Sequence, residues 1–432
     1  MCLFFRVFVI IALCGAGVAR ADDSLLSLTD CVTLALARSP GVAAAKAGWQ
    51  QREAELQAAR KALYPSLSFQ YDYADQTGSA LTDSTYSSAF TVEQPLYKGR
   101  ALLTNIDLGA LAVNDAALAR RKARDSLILK VHEAYYGLLS AQRLAGEAEQ
   151  ALLRLKAHLN DAKSFFEAEV IPRNDLLQSE VEEAQGEQDL LAARNQTSLA
   201  TAKLNLLLRR PVDTPLGLED CLVYEPRAVA WDTLLQKALA NRPELSRQRL
   251  ASEQAEKRIT LARADSLPTV TLSASYEKAG GDFLVASPAY GPTEVKTAQV
   301  TARWKFWTWG QGDDKVAAAR YLYRQSQEAE SEAADAVTLE VRQAYLSLVE
   351  AEKNIGVTKK AIVSAEENYR INEERYRVQL NTSTEVLDAQ SLLTRARTNY
   401  FVALHKYNLA LATLDWATGT IDPHDNSTDD AS

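Results

Sequence analysis

Two periodicities organise the chain. Around residues 66–96 and again around 269–306, apolar and polar positions alternate one for one. Leu67, Phe69, Tyr71 and Tyr73 interleave with Ser66, Ser68, Gln70 and Asp72, and Tyr86, Phe90, Val92 and Leu96 interleave with Ser87, Thr91 and Glu93. Val270, Leu272, Ala274 and Tyr276 alternate with Thr271, Ser273 and Ser275. Ala298, Val300, Ala302, Trp304 and Phe306 alternate with Gln299, Thr301, Arg303 and Lys305. Period two with one apolar face predicts four strands, greasy on one side and wet on the other. Each stretch has about the 9–11 residues that a tilted strand needs to cross a bilayer. Residues 76–85 and 280–293 read as hairpin loops. A water-soluble sandwich would alternate equally well, but it gives no role to Trp304, Trp307 and Trp309 beside Phe306. An interfacial aromatic belt does.

The remainder follows a 3-4 spacing. Val337, Val341, Ala344, Leu348, Ala351, Ile355, Thr358, Ile362, Ala365 and Tyr369 form one seam, and Leu127, Val131, Ala134, Leu138, Ala141, Ala145, Ala148, Leu152, Leu155 and Leu159 form its counterpart. Such alanine-rich coiled-coil seams let helices approach closely. Long helices are expected at about 101–168 and 313–378, each about 100 Å long at 1.5 Å per residue. Return helices are expected at about 172–209 and 383–418. The first opens with Pro172 as its first residue, the second with Thr382 and Glu385 as a capping box. The second return keeps the rhythm through Val386, Ala389, Leu393, Ala396, Tyr400, Ala403, Tyr407, Ala410 and Leu414.

The pattern is written twice. Leu36-Ala37-Arg38-Ser39-Pro40 recurs as Leu239-Ala240-Asn241-Arg242-Pro243, 203 residues on, and Glu133-Ala134-Tyr135 recurs as Gln343-Ala344-Tyr345, 210 residues on. A repeat of this size constrains the architecture before any single residue does. The chain divides into a first repeat, 22–209, a Pro-containing linker, 210–229, and a second repeat, 230–420. The acidic tail 421–432 is expected to be disordered.

Residues 1–21 read as a cleaved export signal. Arg6 precedes the apolar run 7–13, and Ala19-Arg20-Ala21 is an A-x-A site. Lipidation at Cys14 is disfavoured by the bulky Leu13 before it. No later window holds 18 apolar residues in a row, so no membrane helix is expected. Losing Arg6 and Arg20 takes the net charge from −8 to −10, which does not suit nucleic acid. Cys31 and Cys221 would remain in a compartment that permits a disulfide, but Cys31 falls where the second copy has Leu234 and reads better as a buried hydrophobe. The four histidines are scattered, and HExxH, GxSxG, CxxC and P-loop spacings are missing. Neither an enzyme, a metal site nor a cofactor is expected.

Four membrane strands cannot close a barrel, and an open edge in lipid leaves backbone groups unpaired at several kcal/mol each. Chains must pool strands. Eight strands would be filled by their own side chains, while twelve leave a lumen, and the inward Ser, Thr, Gln and Asp suit water. A cyclic homotrimer is the economical solution. The fold class is therefore mainly α with transmembrane β: a duplicated unit, a long coiled-coil α-helical barrel, and four strands per chain in a 12-stranded trimeric β-barrel.

The run from Arg375 to Gln390, its counterpart Val170 to Leu177, and Leu34 to Pro40, in this duplicated order, resemble the TolC family of outer-membrane efflux and secretion channels over about residues 25–420. The resemblance implies a homotrimer in the outer membrane of a Gram-negative bacterium that reaches into the periplasm. There it would serve as the exit duct of a tripartite efflux pump, docked to a periplasmic adaptor (membrane fusion) protein and an inner-membrane transporter. An exit channel for type I protein secretion is the alternative within the family. A periplasmic helical scaffold without a pore is the alternative outside it.

The resemblance also assigns residues. Glu385 and Asp388 fall at the two positions that form carboxylate rings at the periplasmic constriction; as ordinary helix residues, Glu385 would cap and Asp388 would be a solvated first-turn acid. Asp175 and Tyr376 fall at a pair that holds the tip closed. The arginine that reinforces that latch is replaced by Asn381. Glycines usual in both tip turns are replaced by Glu169 and Gln379, which implies a differently shaped or more polar docking surface. Val170, Val378 and Leu380, with Glu169 and Gln379, are the implied adaptor contact. Trp304, Phe306, Trp307 and Trp309 are the membrane-interface aromatics.

Overall fold

The structure is a computed structural model that describes residues 25–77, 82–227, 229–285 and 294–422. The expected export signal with Cys14, the tips of both hairpin loops and the tail beyond residue 422 lie outside the described residues. In chain order the elements are α1 (Leu28–Arg38), α2 (Pro40–Lys61), β1 (Ser66–Thr77), β2 (Thr82–Lys98), α3 (Ala101–Glu167) and α4 (Arg173–Leu207). The second half supplies α5 (Trp231–Asn241), α6 (Pro243–Ala264), β3 (Thr269–Gly280), β4 (Glu294–Arg303), α7 (Gln311–Arg377) and α8 (Ser383–Ala417). The offset between the copies is 203 residues up to β3 and 210 from α7 onward. The extra seven residues therefore enter between β3 and the β4–α7 junction.

Local chemistry sets the element ends. Pro40 and Pro243 have no amide hydrogen to give a preceding turn, so each starts a new helix at its first position. Ser39 caps α2 by accepting from the Val42 amide at 3.4 Å. Pro172 sits one place earlier than expected. It is extended, with φ −70° and ψ 155°, and flanks α4, which begins at Arg173. Strand β4 ends at Arg303, short of the expected 306. Trp304 leaves the ladder there and donates its indole N–H to the Ser266 carbonyl at 3.1 Å. Strand β2 runs on to Lys98 through a register shift between Pro95 and Tyr97, where proline cannot donate to the ladder.

The two hairpins join edge to edge through β2 and β3, giving one antiparallel sheet of order β1-β2-β3-β4. The register sets apolar residues opposite one another over most of one face, with polar partners at Tyr71–Ser88, Leu272–Gln94 and Tyr276–Lys296. Leu67 pairs Val92 and Phe69 pairs Phe90, Val92 pairs Ala274, and Leu272 pairs Val300. This apolar face is bare, with Leu67 80% and Val300 63% exposed. The core lies in the helices instead. Val337, Val341, Ala344, Leu348, Ala351 and Ile355 are buried on α7, and every seam position of α8 except the half-buried Tyr400 is buried. Helix α3 buries a second row beside its expected seam, including Ile128, Tyr135, Ala151 and Ala162, because it packs on α4, α2, α6 and α8 together.

One stretch of α3 is long and apolar enough by length and composition alone to cross a membrane, although no run of 18 apolar residues occurs in it. Its Asp107 and Asp115 pair with Lys257 and Arg247 of α6, which marks helix packed on helix. The linker is not loose. Tyr135 donates to the Glu219 and Leu26 carbonyls at 2.7 and 3.1 Å, Asn205 donates to the Val212 and Thr214 carbonyls, and Asn408 donates to the Val223 carbonyl. Cys31 is fully buried and its thiol is pushed up to about 11, chiefly by that burial. Cys31 and Cys221 are both free thiols.

Candidate functional site

Both tip turns are built alike. At the end of α3 the Val170 amide donates to the Phe165 carbonyl and the Glu169 amide to the Phe166 carbonyl; at the end of α7 Leu380 and Gln379 do the same to Arg375 and Tyr376. This is a Schellman closure, whose key residue adopts the left-handed region and is most often glycine. Glu169 and Gln379 occupy it at φ 56° and 62°. The turns therefore keep the shape that glycine would give and add a polar side chain to it. Val170, Val378 and Leu380 are solvent-exposed beside them, Leu380 at 75%.

Glu385 and Asp388 lie one turn apart on the exposed side of α8. Glu385 also accepts from the Thr382 amide at 2.9 Å, so it caps its helix while its side of α8 stays open to solvent. Asp175 and Tyr376 are not joined by a hydrogen bond. The phenol of Tyr376 is buried beside Ser383, its ring lies against His158 and Phe165 with centroids 4.8 and 5.4 Å away, and its pKa is raised by burial first and by the Asp175 charge second. Asp175 instead accepts from the Asn174 amide at 3.0 Å. Asn381, at the arginine position, donates to Asn372 at 2.6 Å.

Reasoning from the sequence missed a set of polar rungs between α8 and the antiparallel α3. Ser383 bonds His158 at 2.7 Å, Gln390 donates to the Ala151 carbonyl at 3.0 Å, Arg154 reaches Thr394 at 3.5 Å, and Arg397 reaches the buried Glu147 at 3.5 Å. Ser383, Gln390 and Arg397 are spaced by seven, one coiled-coil repeat. That heptad of polar residues running beside an apolar one was the available signal.

At the other end, Trp304, Phe306, Trp307 and Trp309 are exposed, Trp309 at 88%, immediately after the last strand. Gly99 and Arg100, and 210 residues later Trp309 and Gly310, all take positive φ. Two consecutive left-handed residues turn each outgoing strand into its long helix.

An open four-stranded sheet with one bare apolar face, continued by two antiparallel pairs of 67- and 35-residue helices, defines a subunit of a membrane channel that is completed by further copies. The chain belongs to the outer membrane efflux protein family, whose model matches residues 31–208 and 234–420. It is a non-enzymatic efflux channel of the Gram-negative outer membrane that extends into the periplasm. It is 22% identical over 384 residues to outer membrane protein TolC of Escherichia coli (strain K12), covering 85% of this chain and 77% of that protein. It is 26% identical over 443 residues to the alkaline protease secretion protein AprF of Pseudomonas aeruginosa, covering 92% and 87%. Among solved structures, CusC superposes with a TM-score of 0.80 at 17% identity, covering 91% of this chain and 92% of that one. The open state of the Neisseria gonorrhoeae MtrE channel does so at 0.79 and 19%, covering 91% and 89%.

Proposed function

We propose that three copies of this chain form the exit duct of a tripartite efflux pump. Their twelve strands close a barrel in the outer membrane. Their helical tips dock, through Glu169, Val170, Val378, Gln379 and Leu380, onto a periplasmic adaptor protein that serves an inner-membrane transporter. Glu385 and Asp388 form carboxylate rings at the periplasmic constriction, and Tyr376 with Asp175 belongs to the closing contacts of the tip. Solute passes without chemistry, and the energy comes from the transporter.

The observation that carries this reading is the four-stranded sheet, whose two outer edges and apolar face are satisfied only in lipid and only by neighbouring copies. The test is purification from outer-membrane fractions, with expected detergent dependence and heat-modifiable trimers on gels, followed by cross-linking of Val378→Cys to the co-encoded adaptor. A water-soluble monomer recovered from the periplasm would refute it. The likeness to AprF favours a second reading, a duct for secreted protein. Deleting the gene and comparing drug susceptibility with secreted protein separates the two.

A further inference from the structure

Four helices of one chain meet at the tip around a chain of hydrogen bonds. His158 Nε2 lies 2.7 Å from Ser383 Oγ, Ser383 Oγ lies 3.1 Å from Ser179 Oγ, and Ser179 Oγ donates to the Asp175 backbone carbonyl at 2.9 Å. Proton counting orders it. Ser179 spends its only proton on the carbonyl, so it accepts from Ser383, and Ser383 in turn accepts from Nε2–H. That fixes the neutral tautomer of His158 and leaves Nδ1 to take up any further proton, which keeps the Nε2–H bond to Ser383 in place. What protonation adds is a cation on a side chain only 6% exposed, so release is driven by hydration of that charge and not by a lost hydrogen bond. The three side chains are buried, with Ser383 and Ser179 at 0% and 1% exposure, and the Tyr376 ring lies against the imidazole.

We propose that this His158–Ser383–Ser179 chain is a proton-operated tie in each subunit: neutral His158 holds α7 and α8 against α3 and α4, and protonated His158 releases them. The proposal rests on the reading of the chain as a channel with a closable tip. Around the imidazole, α3 brings Asp161, α7 brings the Tyr376 ring, and α8 brings Ser383, with Glu385 turned to its own cap; Asp175 of α4 acts on the Tyr376 phenol. Burial lowers the His158 pKa below its ordinary value of 6.5 and outweighs the opposing charge of Asp161. When the helix pairs part, the imidazole is hydrated and titrates near 6.5. The tied state therefore binds fewer protons than the released one. As pH falls below about 6.5, release gains up to about tenfold per pH unit in each subunit, until the tied-state pKa is reached.

The test uses the full-length trimer in planar bilayers between pH 7.5 and 5. Wild-type conductance is expected to be low at pH 7.5 and to step up below pH 6.5. His158→Gln, whose amide donates to Ser383 without titrating, is expected to keep the low conductance and lose the step. Ser383→Ala, which cuts the chain, is expected to conduct highly even at pH 7.5. An undiminished pH step in His158→Gln overturns the proposal, as does wild-type conductance at pH 7.5 in Ser383→Ala. Hydrogen–deuterium exchange at the imidazole carbon of the wild-type trimer measures the titration independently of conductance. A His158 midpoint below 6.5 supports the tie and one at or above 6.5 refutes it, whether or not the protein conducts. Failure of the channel reading would show separately, as lack of conductance in every variant.

Discussion

Replacing Gly99 and Gly310 by alanine tests how strand becomes helix at the membrane surface. Both residues are left-handed, at φ 56° and 83°, but their surroundings differ. A Cβ on Gly310 meets nothing within 4 Å, whereas one on Gly99 would stand 2.6 Å from the Ala264 carbonyl oxygen and 3.0 Å from Leu267 Cβ. The left-handed conformation costs an alanine about 1–2 kcal/mol, offset by about 0.4–1 kcal/mol because the unfolded chain loses freedom. At Gly310 this leaves roughly 1 kcal/mol or less. At Gly99 the obstructing atom is backbone at the end of α6 and cannot rotate away, so overpacking adds about 1–3 kcal/mol. Gly99→Ala should therefore cost about 1–4 kcal/mol per subunit in all. The assay is the temperature at which detergent-resistant trimers dissociate, with wild type and both variants side by side. Gly310→Ala should fall slightly and Gly99→Ala substantially. Equal losses would show that backbone conformation alone, and not the approach of α6, makes Gly99 necessary.

Three further outcomes are expected. Glu385→Ala with Asp388→Ala should weaken block of single-channel current by multivalent cations, since rings of carboxylates concentrate such ions; unchanged block would remove both residues from the constriction. Tyr135→Phe leaves the Glu219 carbonyl without its phenol donor, while the Leu26 carbonyl keeps the Glu219 amide; this should cost about 1–3 kcal/mol and expose residues 210–227 to limited proteolysis, and wild-type resistance would mean that other contacts hold the linker. Glu169→Gly and Gln379→Gly relieve the left-handed strain at both tip turns, and each should slow amide exchange in the last helical turns before it by a fewfold. Faster exchange would show that the side chains stabilise the turns.

The long helices and strands were legible because each carries one uninterrupted period: a 3-4 seam in α7 buries its first six expected residues, and the alternation from Leu67 to Tyr73 sets one bare face. The ends were less legible. Trp304 and Phe306 continue the alternation of β4 in the sequence, but the Trp304 indole finds the Ser266 carbonyl off the ladder, and periodicity cannot register a hydrogen bond to another segment. The break between α1 and α2 was available in Ser39-Pro40 but was hidden inside the repeat. At the tip, resemblance pointed to Asp175 and Tyr376, whereas the closest contacts of Tyr376 are His158 and Phe165. Those partners lie more than 200 residues away in sequence, on α3, and only the fold brings them together. At the tip turns the lack of glycine leaves two alternatives, a different shape or a more polar surface. Glu169 and Gln379 accept the left-handed conformation and the Schellman hydrogen bonds hold them there, so the turn keeps its shape and carries a polar side chain.

Polar and apolar contacts are distributed unequally along α8, and the proposed opening of the tip would use that difference. Toward the membrane, Ala403, Leu404, Tyr407, Ala410, Leu414 and Ala417 share a continuous core with Val337 to Ile355 of α7 and Val131 to Ala141 of α3. Burial of that kind is lost if the helices part, at about 25 cal/mol per Å², so this region holds together. Toward the tip, the contacts between α8 and α3 include the rungs at Ser383, Gln390, Thr394 and Arg397. A buried polar pair gains little net free energy over its hydrated parts, so separating these groups costs far less than separating an equal apolar area, while mispairing them leaves buried groups unsatisfied. Polar rungs therefore fix the register of the closed joint without making it permanent. A chain with an all-apolar α3–α8 joint would be more stable and would lose the difference between its two ends.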